Sequence, residues 1–390
     1  MSLAGSVAHG FEAVTDAFLE NSAQRGEVGA AFCAYVDGER VADLWGGEAR
    51  PGVLWEADTP VVVFSTTKGA TALTVQALVD RGALDIDAAV ASYWPEFAAN
   101  GKSEITVRHI LTHTSGAVDF PGYLDVLGDL GWWTDLDRIA ADFARSEPAW
   151  EPGSTHGYHG ASFGLLLGEI VRRATGTSLG RTFRDLIGDP LGLDFWIGLP
   201  AEHHDRVALL RDAPPPEDPA VAAYLSLFTP DTLTGRAHLF GPGGVTHIAE
   251  GCNLPPFWAA EFPSGGGIAS ARSLAAMYDL LVRGGEHDGV QIVSEASIVA
   301  HTTERVAGPD LVLLFDTRFG LGYQRPTPFL YLGPGDAAFG HGGLGGSLGF
   351  ADPERGVAVG YTMNQLGFVG PGEVTRATAL VEALYTSLDA

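Results

Sequence analysis

The sequence predicts an α/β (α+β) fold, in which the two terminal helices flank an antiparallel sheet and a mostly helical region is inserted between the two halves of that sheet. Three observations lead to this prediction. A helix and a β-hairpin open the chain, a hairpin and a helix close it, and the long stretch between them alternates helical segments with Gly/Pro-rich loops. Because each element must bury its apolar side, the simplest assembly joins both hairpins in one sheet covered by both helices.

The N-terminal half of the sheet follows from two periodicities. Residues 8–24 place apolar side chains at helical spacing, namely Phe11, Val14, Phe18 and Leu19. Apolar runs at 29–36 and 41–45 flank Asp37-Gly38, and an Asp-Gly turn between two apolar runs is a strong signal for a β-hairpin. The chain is therefore predicted to open as a helix followed by two antiparallel strands.

The C-terminal half has the mirrored order. Residues 347–350 and 357–363 are predicted as strands, and the turn-rich segment 352–356 between them indicates a second hairpin. Residues 375–388 then show the apolar spacing of a helix. The chain is predicted to close as a hairpin followed by a helix.

The middle of the chain is predicted to form a second region. At 390 residues the chain exceeds the usual size of one hydrophobic core. The stretch 65–264 alternates helical segments with loops, and the run Pro214-Pro215-Pro216 interrupts regular structure. We expect one domain formed by residues 1–64 and 265–390, a mostly helical domain formed by residues 65–264, and an active site at their junction.

The composition narrows the classes of partner and the location. The chain has 48 acidic and 23 basic residues, and the net charge of -25 opposes binding to nucleic acid or to an anionic membrane. No stretch approaches the roughly 18 uninterrupted apolar residues of a membrane span, and the N-terminal segment lacks the pattern of a secretory signal. Cys33 and Cys252 are expected to be free thiols. These features predict a cytoplasmic protein and leave its oligomeric state open.

The candidate nucleophile is Ser65. It follows the apolar run 61–64 and precedes Lys68 by three residues, at the start of an Ala/Leu-rich segment predicted as a helix over 69–80. This offset places the hydroxyl and the amine on one helix face. A lysine takes a serine proton only if burial or a nearby cation lowers its pKa, and a helix N-terminus favours the negative charge that develops at the serine. An isolated S-x-x-K tetrapeptide is more often an N-capping serine followed by a surface lysine.

Two further segments support the catalytic interpretation. After Phe64–Lys68 come Leu-Thr-His-Thr-Ser-Gly at 111–116 and Phe-Gly-His-Gly-Gly at 339–343. Together the three segments resemble the serine β-lactamase-like, penicillin-recognising superfamily, and the pattern is similar to class C β-lactamases and family VIII carboxylesterases. The resemblance covers most of the chain. It implies a β-lactamase-like fold and an acyl-enzyme on Ser65, with no cofactor and no metal ion.

The resemblance also points to Tyr158. In this family a tyrosine on a loop faces the nucleophile, and Tyr158 matches that position. A phenolate or a hydrogen-bonded phenol near Lys68 would relay the Ser65 proton to the leaving alkoxide. The structural alternative is an interface aromatic with a satisfied hydroxyl. The family motif often has Asn two residues later, where its amide touches the substrate's acylamino group; this chain has Gly160, so that contact is absent.

The third family element is Lys-Thr-Gly or a variant at a sheet edge, and His341-Gly342-Gly343 fits the variant form. The family's Lys and Thr bind the carboxylate of β-lactams and peptides, whereas His341 is largely neutral near pH 7 and Gly342 has no hydroxyl. By resemblance, the backbone N–H groups of Ser65 and Leu344 form the oxyanion hole, and residues 341–343 bind the substrate, with Gly342 and Gly343 allowing its close approach. The alternative for His341 is a turn histidine with satisfied hydrogen bonds.

A rival nucleophile is Ser347, within Gly-Gly-Ser-Leu-Gly at 345–349, which matches the G-x-S-x-G elbow of α/β-hydrolases. An elbow needs a helix after the serine and a later triad histidine. Here a hairpin turn follows and no histidine occurs beyond His341, so Ser347 is predicted to be structural.

Four histidines raise the alternative of a metal site. His109 and His113 have the spacing of a helical metal pair, which His156 and His159 would extend. No H-E-x-x-H motif or cysteine pair accompanies them. We predict instead a tight helix C-terminus at 112–116 beside the catalytic region.

Aromatic residues beyond position 116 are candidates for the walls of the cleft: Phe120, Tyr123, Trp132, Trp133, Tyr224, Phe228, Phe257 and Trp258. If they line it, the cleft is apolar and suits acyl or aryl groups. The alternative is that they pack the two regions together. Residues 262–271 resemble a family stretch that adjoins the active site.

The sequence therefore predicts a carboxylesterase that cleaves small uncharged esters through Ser65, Lys68 and Tyr158. Three alternatives stay open. An acyltransferase would use the same acyl-enzyme, a β-lactamase or D-aminopeptidase-like amide hydrolase is disfavoured by His341 and Gly342, and a catalytically silent penicillin-binding module would not turn over.

Overall fold

The computed structural model describes residues 2–127, 135–241, 243–287, 289–368 and 374–390. Its strands are β1 (Leu3–Val7), β2 (Gly29–Val36), β3 (Glu39–Arg50), β4 (Val53–Leu54), β5 (Val61–Val62), β6 (Phe195–Ile197), β7 (Gly267–Ala269), β8 (Glu286–His287), β9 (Val290–Gln291), β10 (Val306–Pro309), β11 (Asp316–Phe319), β12 (Phe339–Gly342), β13 (Leu348–Asp352) and β14 (Val357–Met363). Its helices are α1 (Glu12–Gln24), α2 (Thr67–Asp80), α3 (Val90–Tyr93), α4 (Val107–Leu111), α5 (Tyr123–Leu127), α6 (Leu136–Arg145), α7 (Ser162–Thr175), α8 (Leu179–Phe183), α9 (Pro219–Leu225), α10 (Leu233–His238), α11 (Ala249–Cys252), α12 (Pro255–Ala259), α13 (Ala271–Val282), α14 (Glu295–Thr302) and α15 (Arg376–Leu388).

The central sheet has the strand order β1-β3-β2-β14-β13-β12, and each neighbouring pair runs antiparallel. Strand β14 pairs with β2 over the whole of its length, with Gly360 opposite Cys33. The N-terminal and C-terminal hairpins therefore join in one sheet, as predicted. Strand β1 was not predicted, because its sequence Leu-Ala-Gly-Ser-Val is half-buried only at its two ends and carries no apolar alternation.

Helices cover both faces of this sheet. On one face α13 packs so closely that a Cβ on Gly360 would lie 2.2 Å from the backbone oxygen of Ala271. Successive strand residues point to opposite faces, so Tyr361 points to the other face, where it donates a hydrogen bond to Glu27. Helices α1 and α15 pack together on that second face, which confirms the predicted covering by both terminal helices. Helix α13 was not predicted.

The inserted stretch is mostly helical but is not purely so. Its strand β6 pairs with β7, which in turn pairs with β5, and the three form a small antiparallel sheet beside the start of α2. The predicted division into domains 65–264 and 1–64 with 265–390 stays a prediction. Backbone hydrogen bonds do cross the boundary between these segments.

The cysteines and the helices bear on the expectations drawn from composition. Cys33 and Cys252 are buried and free of any disulfide. Over the described ranges, every helix is too short or too polar to traverse a lipid bilayer.

A buried ion pair joins α15 to the segment that leads into β2. Arg376 Nη1 donates to Glu27 Oε1 at 2.9 Å, and the two side chains are only 9% and 1% exposed. Arg376 Nη2 also donates to the backbone oxygen of Gln365 at 2.7 Å. Burial raises the pKa of Glu27, so the carboxylate depends on these partners for its charge.

The variant Arg376→Ala is expected to lower the free energy of unfolding by about 3–5 kcal/mol, because it leaves the Glu27 carboxylate buried without its cation. Urea denaturation measures this change. The matched control is Arg181→Ala, which removes an exposed ion pair with Asp185 and is expected to change stability by about 0–1 kcal/mol. Equal losses in the two variants would contradict the structural role assigned to Arg376.

Candidate active site

Ser65 is placed by a sharp turn between β5 and α2. It lies in a single 3-10 turn, Phe64–Thr66, as the sequence prediction of a helix start implied. Phe64 has φ 44°, a left-handed conformation that is uncommon for a residue with a side chain. Ser347 Oγ donates to the backbone oxygen of Val63 at 2.7 Å, and this hydrogen bond anchors the turn to the residue that precedes β13. Strained turns of this kind cluster at active sites.

The Lys68 amine contacts three oxygen atoms. Its Nζ lies 3.1 Å from Ser65 Oγ, 2.7 Å from the backbone oxygen of Gly160 and 2.8 Å from the backbone oxygen of Ser264. Burial lowers the pKa of Lys68 well below its usual value. A neutral amine has two N–H groups and one lone pair. Since the two carbonyl oxygens can only accept, they bind the two N–H groups, and the lone pair is left for the Ser65 hydroxyl.

The Tyr158 phenol completes the group. Its hydroxyl is hydrogen-bonded to Ser65, and Lys68 Nζ lies 4.8 Å from the centre of its ring. Burial raises the pKa of Tyr158, and the hydrogen bond to Ser65 opposes this only in part. The phenol is therefore protonated at neutral pH and is suited to donate a proton. The structure thus brings Ser65, Lys68 and Tyr158 together.

Two residues hold the Tyr158 loop: Asp310, which the sequence analysis missed, and His113, for which it gave only a metal-ligand alternative. The buried Asp310 carboxylate accepts the backbone N–H of Tyr158 at 3.0 Å and that of Val312 at 2.8 Å. The ring of His113 packs 5.1 Å from the Tyr158 ring, and its Nδ1 accepts the backbone N–H of His159 at 3.0 Å. Asp310 is 152 residues from Tyr158 in the chain, so no local pattern indicates this contact.

The two N–H groups of the expected oxyanion hole lie on adjacent turns. A Cβ on Gly343 would lie 2.3 Å from the backbone oxygen of Val63 and 2.1 Å from Ser347 Oγ, so glycine is required for this approach. This close approach of Gly343 to Val63 places the 3-10 turn that begins at Leu344 beside the turn that holds Ser65. The first N–H groups of a helical turn have no partner within it, and both residues line the same cavity. Protein atoms thus fill the space into which a side chain at 343 would project, while Gly343 itself lines the cavity. The substrate contact expected at Gly343 stays a prediction.

The His341 ring is buried beside Tyr158, with ring centres 6.0 Å apart. It is 1% exposed, and its Nδ1 donates to the backbone oxygen of Gly342 at 2.7 Å. Burial lowers the pKa of His341 to about 3, so the ring is neutral at pH 7, as expected. In the portion of the chain that the structure covers, Gly342 and Gly343 line the cavity and the His341 ring does not. The structure therefore differs from the prediction that the His341 ring contacts the substrate.

The four histidines proposed as the alternative metal site do not form a set of ligands in the described part of the chain. His109 Nδ1 accepts the backbone N–H of Thr106 at 3.1 Å, and the His113 ring is buried among aromatic rings. Helix α4 ends at Leu111 and is followed by left-handed residues at 113 and 116, which confirms the tight helix end. Within the described ranges, no three His, Cys, Asp or Glu side chains are placed to hold a metal ion.

A cavity of about 740 Å³ opens over Ser65 and Tyr158. Of the aromatic candidates, Tyr224, Phe228 and Phe257 line it, whereas Phe120 packs on Phe143 with ring centres 4.9 Å apart. Trp132 and Trp133 lie outside the described residues. The other phenylalanines of the wall were not among these candidates and are Phe64, Phe240, Phe262, Phe315, Phe329 and Phe368. The cavity is therefore largely apolar.

The antiparallel sheet, the Ser-x-x-Lys pair at a helix start and the facing tyrosine define the class of serine β-lactamase-like hydrolases. A family model described as Beta-lactamase matches residues 11–383. The chain belongs to the beta-lactamase family, so the family resemblance and the fold class predicted from the sequence are confirmed.

Individual relatives agree with this membership. The chain is 36% identical to the Esterase/beta-lactamase LipL of Mycobacterium tuberculosis, over 95% of this chain and 87% of that protein. The crystal structure of a family VIII carboxylesterase is similar with a TM-score of 0.87 and 36% identity, covering 99% of this chain and 100% of that one. A penicillin-binding protein homologue from Caulobacter crescentus has a TM-score of 0.85 and 40% identity, with coverage of 99% and 100%.

Proposed function

We propose that this chain is a serine carboxylesterase that cleaves uncharged esters through a Ser65 acyl-enzyme. The observation that carries the proposal is the placement of the Lys68 amine, whose two N–H groups face carbonyl oxygens and whose remaining position faces Ser65 Oγ at 3.1 Å. The names of similar proteins, an esterase/beta-lactamase and a family VIII carboxylesterase, support the same class of reaction.

Acylation begins when Ser65 Oγ gives its proton to Lys68 Nζ and attacks the carbonyl carbon of the ester. The carbonyl oxygen becomes an oxyanion between the N–H groups of Ser65 and Leu344. As the bond from the carbonyl carbon to the alkoxy oxygen breaks, the Tyr158 hydroxyl donates its proton to the departing oxygen. The Lys68 ammonium then returns a proton to the phenolate, and the alcohol leaves.

Deacylation uses the Lys68 amine and the same two backbone N–H groups, with water as the nucleophile. A water molecule gives one proton to Lys68 Nζ as its oxygen attacks the acyl carbon, and the oxyanion again lies between the two backbone N–H groups. The bond to Ser65 Oγ breaks, and Lys68 returns the proton to that oxygen. The carboxylic acid leaves, and the enzyme regains its starting state.

The residues at the positions where the family binds carboxylates favour uncharged substrates. The Lys and Thr with which the family binds carboxylates are replaced by His341 and Gly342, and the His341 ring is neutral and buried. Arg318 lines the cavity, but its guanidinium is paired with Glu304 at 2.6 Å and with Asp336. An anionic substrate would therefore lose hydration without gaining an unpaired cation from this arginine.

A comparison of two substrates tests the proposal. The kcat/KM for p-nitrophenyl butyrate is expected to exceed that for a chromogenic cephalosporin by at least about 10-fold, since a hydrogen bond to a charged group contributes about 1.5–3 kcal/mol. A fluorophosphonate is expected to label Ser65, as located by peptide mapping. Labelling of another residue, or faster turnover of the cephalosporin, would overturn the assignment.

The cytoplasmic location and the lack of a nucleic-acid or membrane partner remain parts of this proposal. The net charge of -25 supports the lack of nucleic-acid and membrane partners.

A further inference from the structure

The wall of the cavity beside the nucleophile is formed by an imidazole. A Cβ on Gly160 would lie 2.5 Å from Cδ2 and 2.9 Å from Nε2 of His238, so the ring fills the space of a side chain at 160. The backbone oxygen of Gly160 contacts Lys68, which in turn contacts Ser65. His238 also lines the cavity. Its ring is therefore linked to the attacking oxygen through Gly160 and Lys68.

The hydrogen bonding of His238 fixes which ring nitrogen faces the cavity as an acceptor. Its Nδ1 lies 2.7 Å from the backbone oxygen of Thr234, and since a carbonyl oxygen only accepts, Nδ1 carries the hydrogen. Burial lowers the pKa of His238 to about 4, although the bond to Thr234 opposes this. At pH 7 the ring is neutral, and its Nε2 carries a lone pair.

Aromatic rings hold the imidazole in this orientation. The Phe240 ring is parallel to it, with centres 5.7 Å apart, and the rings of Phe228 and Tyr158 lie at 5.1 and 5.7 Å. Among the groups that the structure describes, none donates a hydrogen bond to Nε2. An acceptor held in an apolar wall without a donor costs free energy unless a ligand or water supplies one.

Other oxygen acceptors beside it are already in use. The backbone oxygens of Gly160 and Ser264 accept from Lys68, and Gln324 Oε1 accepts the backbone N–H of Gly342 at 3.1 Å. His238 Nε2 thus has no hydrogen-bond donor among the described groups, and His238 lines the same cavity as Ser65.

We propose that His238 determines specificity by accepting, at Nε2, a hydrogen bond from a hydroxyl group on the carbon next to the scissile carbonyl. The preferred substrates are then esters of 2-hydroxy acids whose remaining chain is apolar. This inference rests on the proposed esterase function and adds the substrate class. His238 is here a specificity-determining residue and takes no part in the proton transfers.

The test compares each enantiomer of methyl 2-hydroxyoctanoate with methyl octanoate by titration of released acid at constant pH 7.5. The ratio of the two kcat/KM values is divided by the ratio of the uncatalysed rates. For one enantiomer of the hydroxy ester the corrected ratio is expected to be at least about 5, the size expected of one hydrogen bond. In His238→Phe, which keeps a ring but has no nitrogen, it is expected to fall to about 1.

The control variant is His203→Phe. His203 lies outside the cavity and packs on Trp196 with ring centres 5.3 Å apart, so the corrected ratio is expected to match that of the wild type. A wild-type ratio near 1 for both enantiomers, or an unchanged ratio in His238→Phe, would overturn the proposal.

Fluorophosphonate labelling of Ser65 separates this question from the esterase proposal. Wild-type enzyme that is labelled and hydrolyses methyl octanoate supports the esterase function, whatever the corrected ratio is. If His238→Phe is not labelled, the corrected ratio is measured in His238→Asn instead. The Asn amide can replace Nδ1 as the donor to Thr234, and it has no group at the position of Nε2. A ratio near 1 there supports the role of His238, and a wild-type ratio overturns it.

Discussion

The variant Ser65→Ala is expected to lower kcat for p-nitrophenyl butyrate by about 10⁴- to 10⁶-fold, the range seen when a serine nucleophile is removed. Lys68 and Tyr158 would stay in place but would have no hydroxyl to activate. Steady-state kinetics on variant protein of verified mass measures the loss, and the fluorophosphonate label should disappear with it. Activity near that of the wild type would eliminate the acyl-enzyme mechanism.

The matched control is Ser347→Ala, which removes the rival serine of the G-x-S-x-G match. Ser347 Oγ contacts the backbone oxygen of Val63 at 2.7 Å and Thr66 Oγ1 at 3.0 Å, so the change should lower the unfolding free energy by about 1–3 kcal/mol. Since the hydroxyl supports the turn and does not attack, activity should fall less than about tenfold. A larger loss in Ser347→Ala than in Ser65→Ala would reverse the assignment of nucleophile.

The elements that the sequence predicted well are those whose signals are local. The hairpin around Asp37-Gly38 depends on turn chemistry and apolar runs, and β2 has its predicted bounds of Gly29–Val36. The pairing of β2 with β14 was reached by the requirement that both hairpins bury a face. Strand β1 escaped because its pairing with β3, and not its own pattern, makes it a strand.

The predicted catalytic residues lie within or next to short motifs, whereas the groups that tune them come from distant parts of the chain. The Lys68 amine is held by backbone oxygens at 160 and 264, and backbone oxygens carry no residue-type signal. Asp310 reaches the Tyr158 loop from β10 and its following turn. The sequence shows that residue 160 has no side chain, but it does not show that the His238 ring fills the space. Only the fold brings these two residues together.

Deep burial also explains a difference in the role of Tyr158. From the sequence, a phenolate and a hydrogen-bonded phenol were both open. In the structure, burial raises the pKa of the phenol and lowers that of the Lys68 amine, so the two groups are pushed toward their neutral forms. The neutral pair divides the work: the amine is suited to accept the Ser65 proton, and the phenol is suited to supply one to the leaving oxygen.

The pH dependence follows from this division. The proton acceptor must be neutral, so kcat/KM is expected to fall as the pH falls through the pKa of Lys68 and to rise as the pH rises through it. Because burial lowers that pKa, the half-maximal point should lie well below that of an exposed lysine, about 10.4. A profile of kcat/KM between pH 5 and 10 with an uncharged ester measures it.

The variant Lys68→Arg tests whether this limb belongs to the amine. A guanidinium stays protonated throughout the accessible range, so it cannot accept the serine proton. We expect kcat/KM to fall by about 10²- to 10⁴-fold, the usual contribution of a general base, and the limb due to Lys68 to disappear.

The control is Lys102→Arg, since the Lys102 side chain is also inaccessible to solvent, donates to the backbone oxygens of Ala99 and Ala144, and is not among the described residues that line the cavity over Ser65. Replacing it should reduce stability without moving the pH at which kcat/KM is half-maximal. The two lysines thus separate the effect of a buried ammonium on folding from the effect of a neutral amine on proton transfer. Retention of the wild-type limb in Lys68→Arg would show that another group takes the serine proton, with Tyr158 as the nearest candidate.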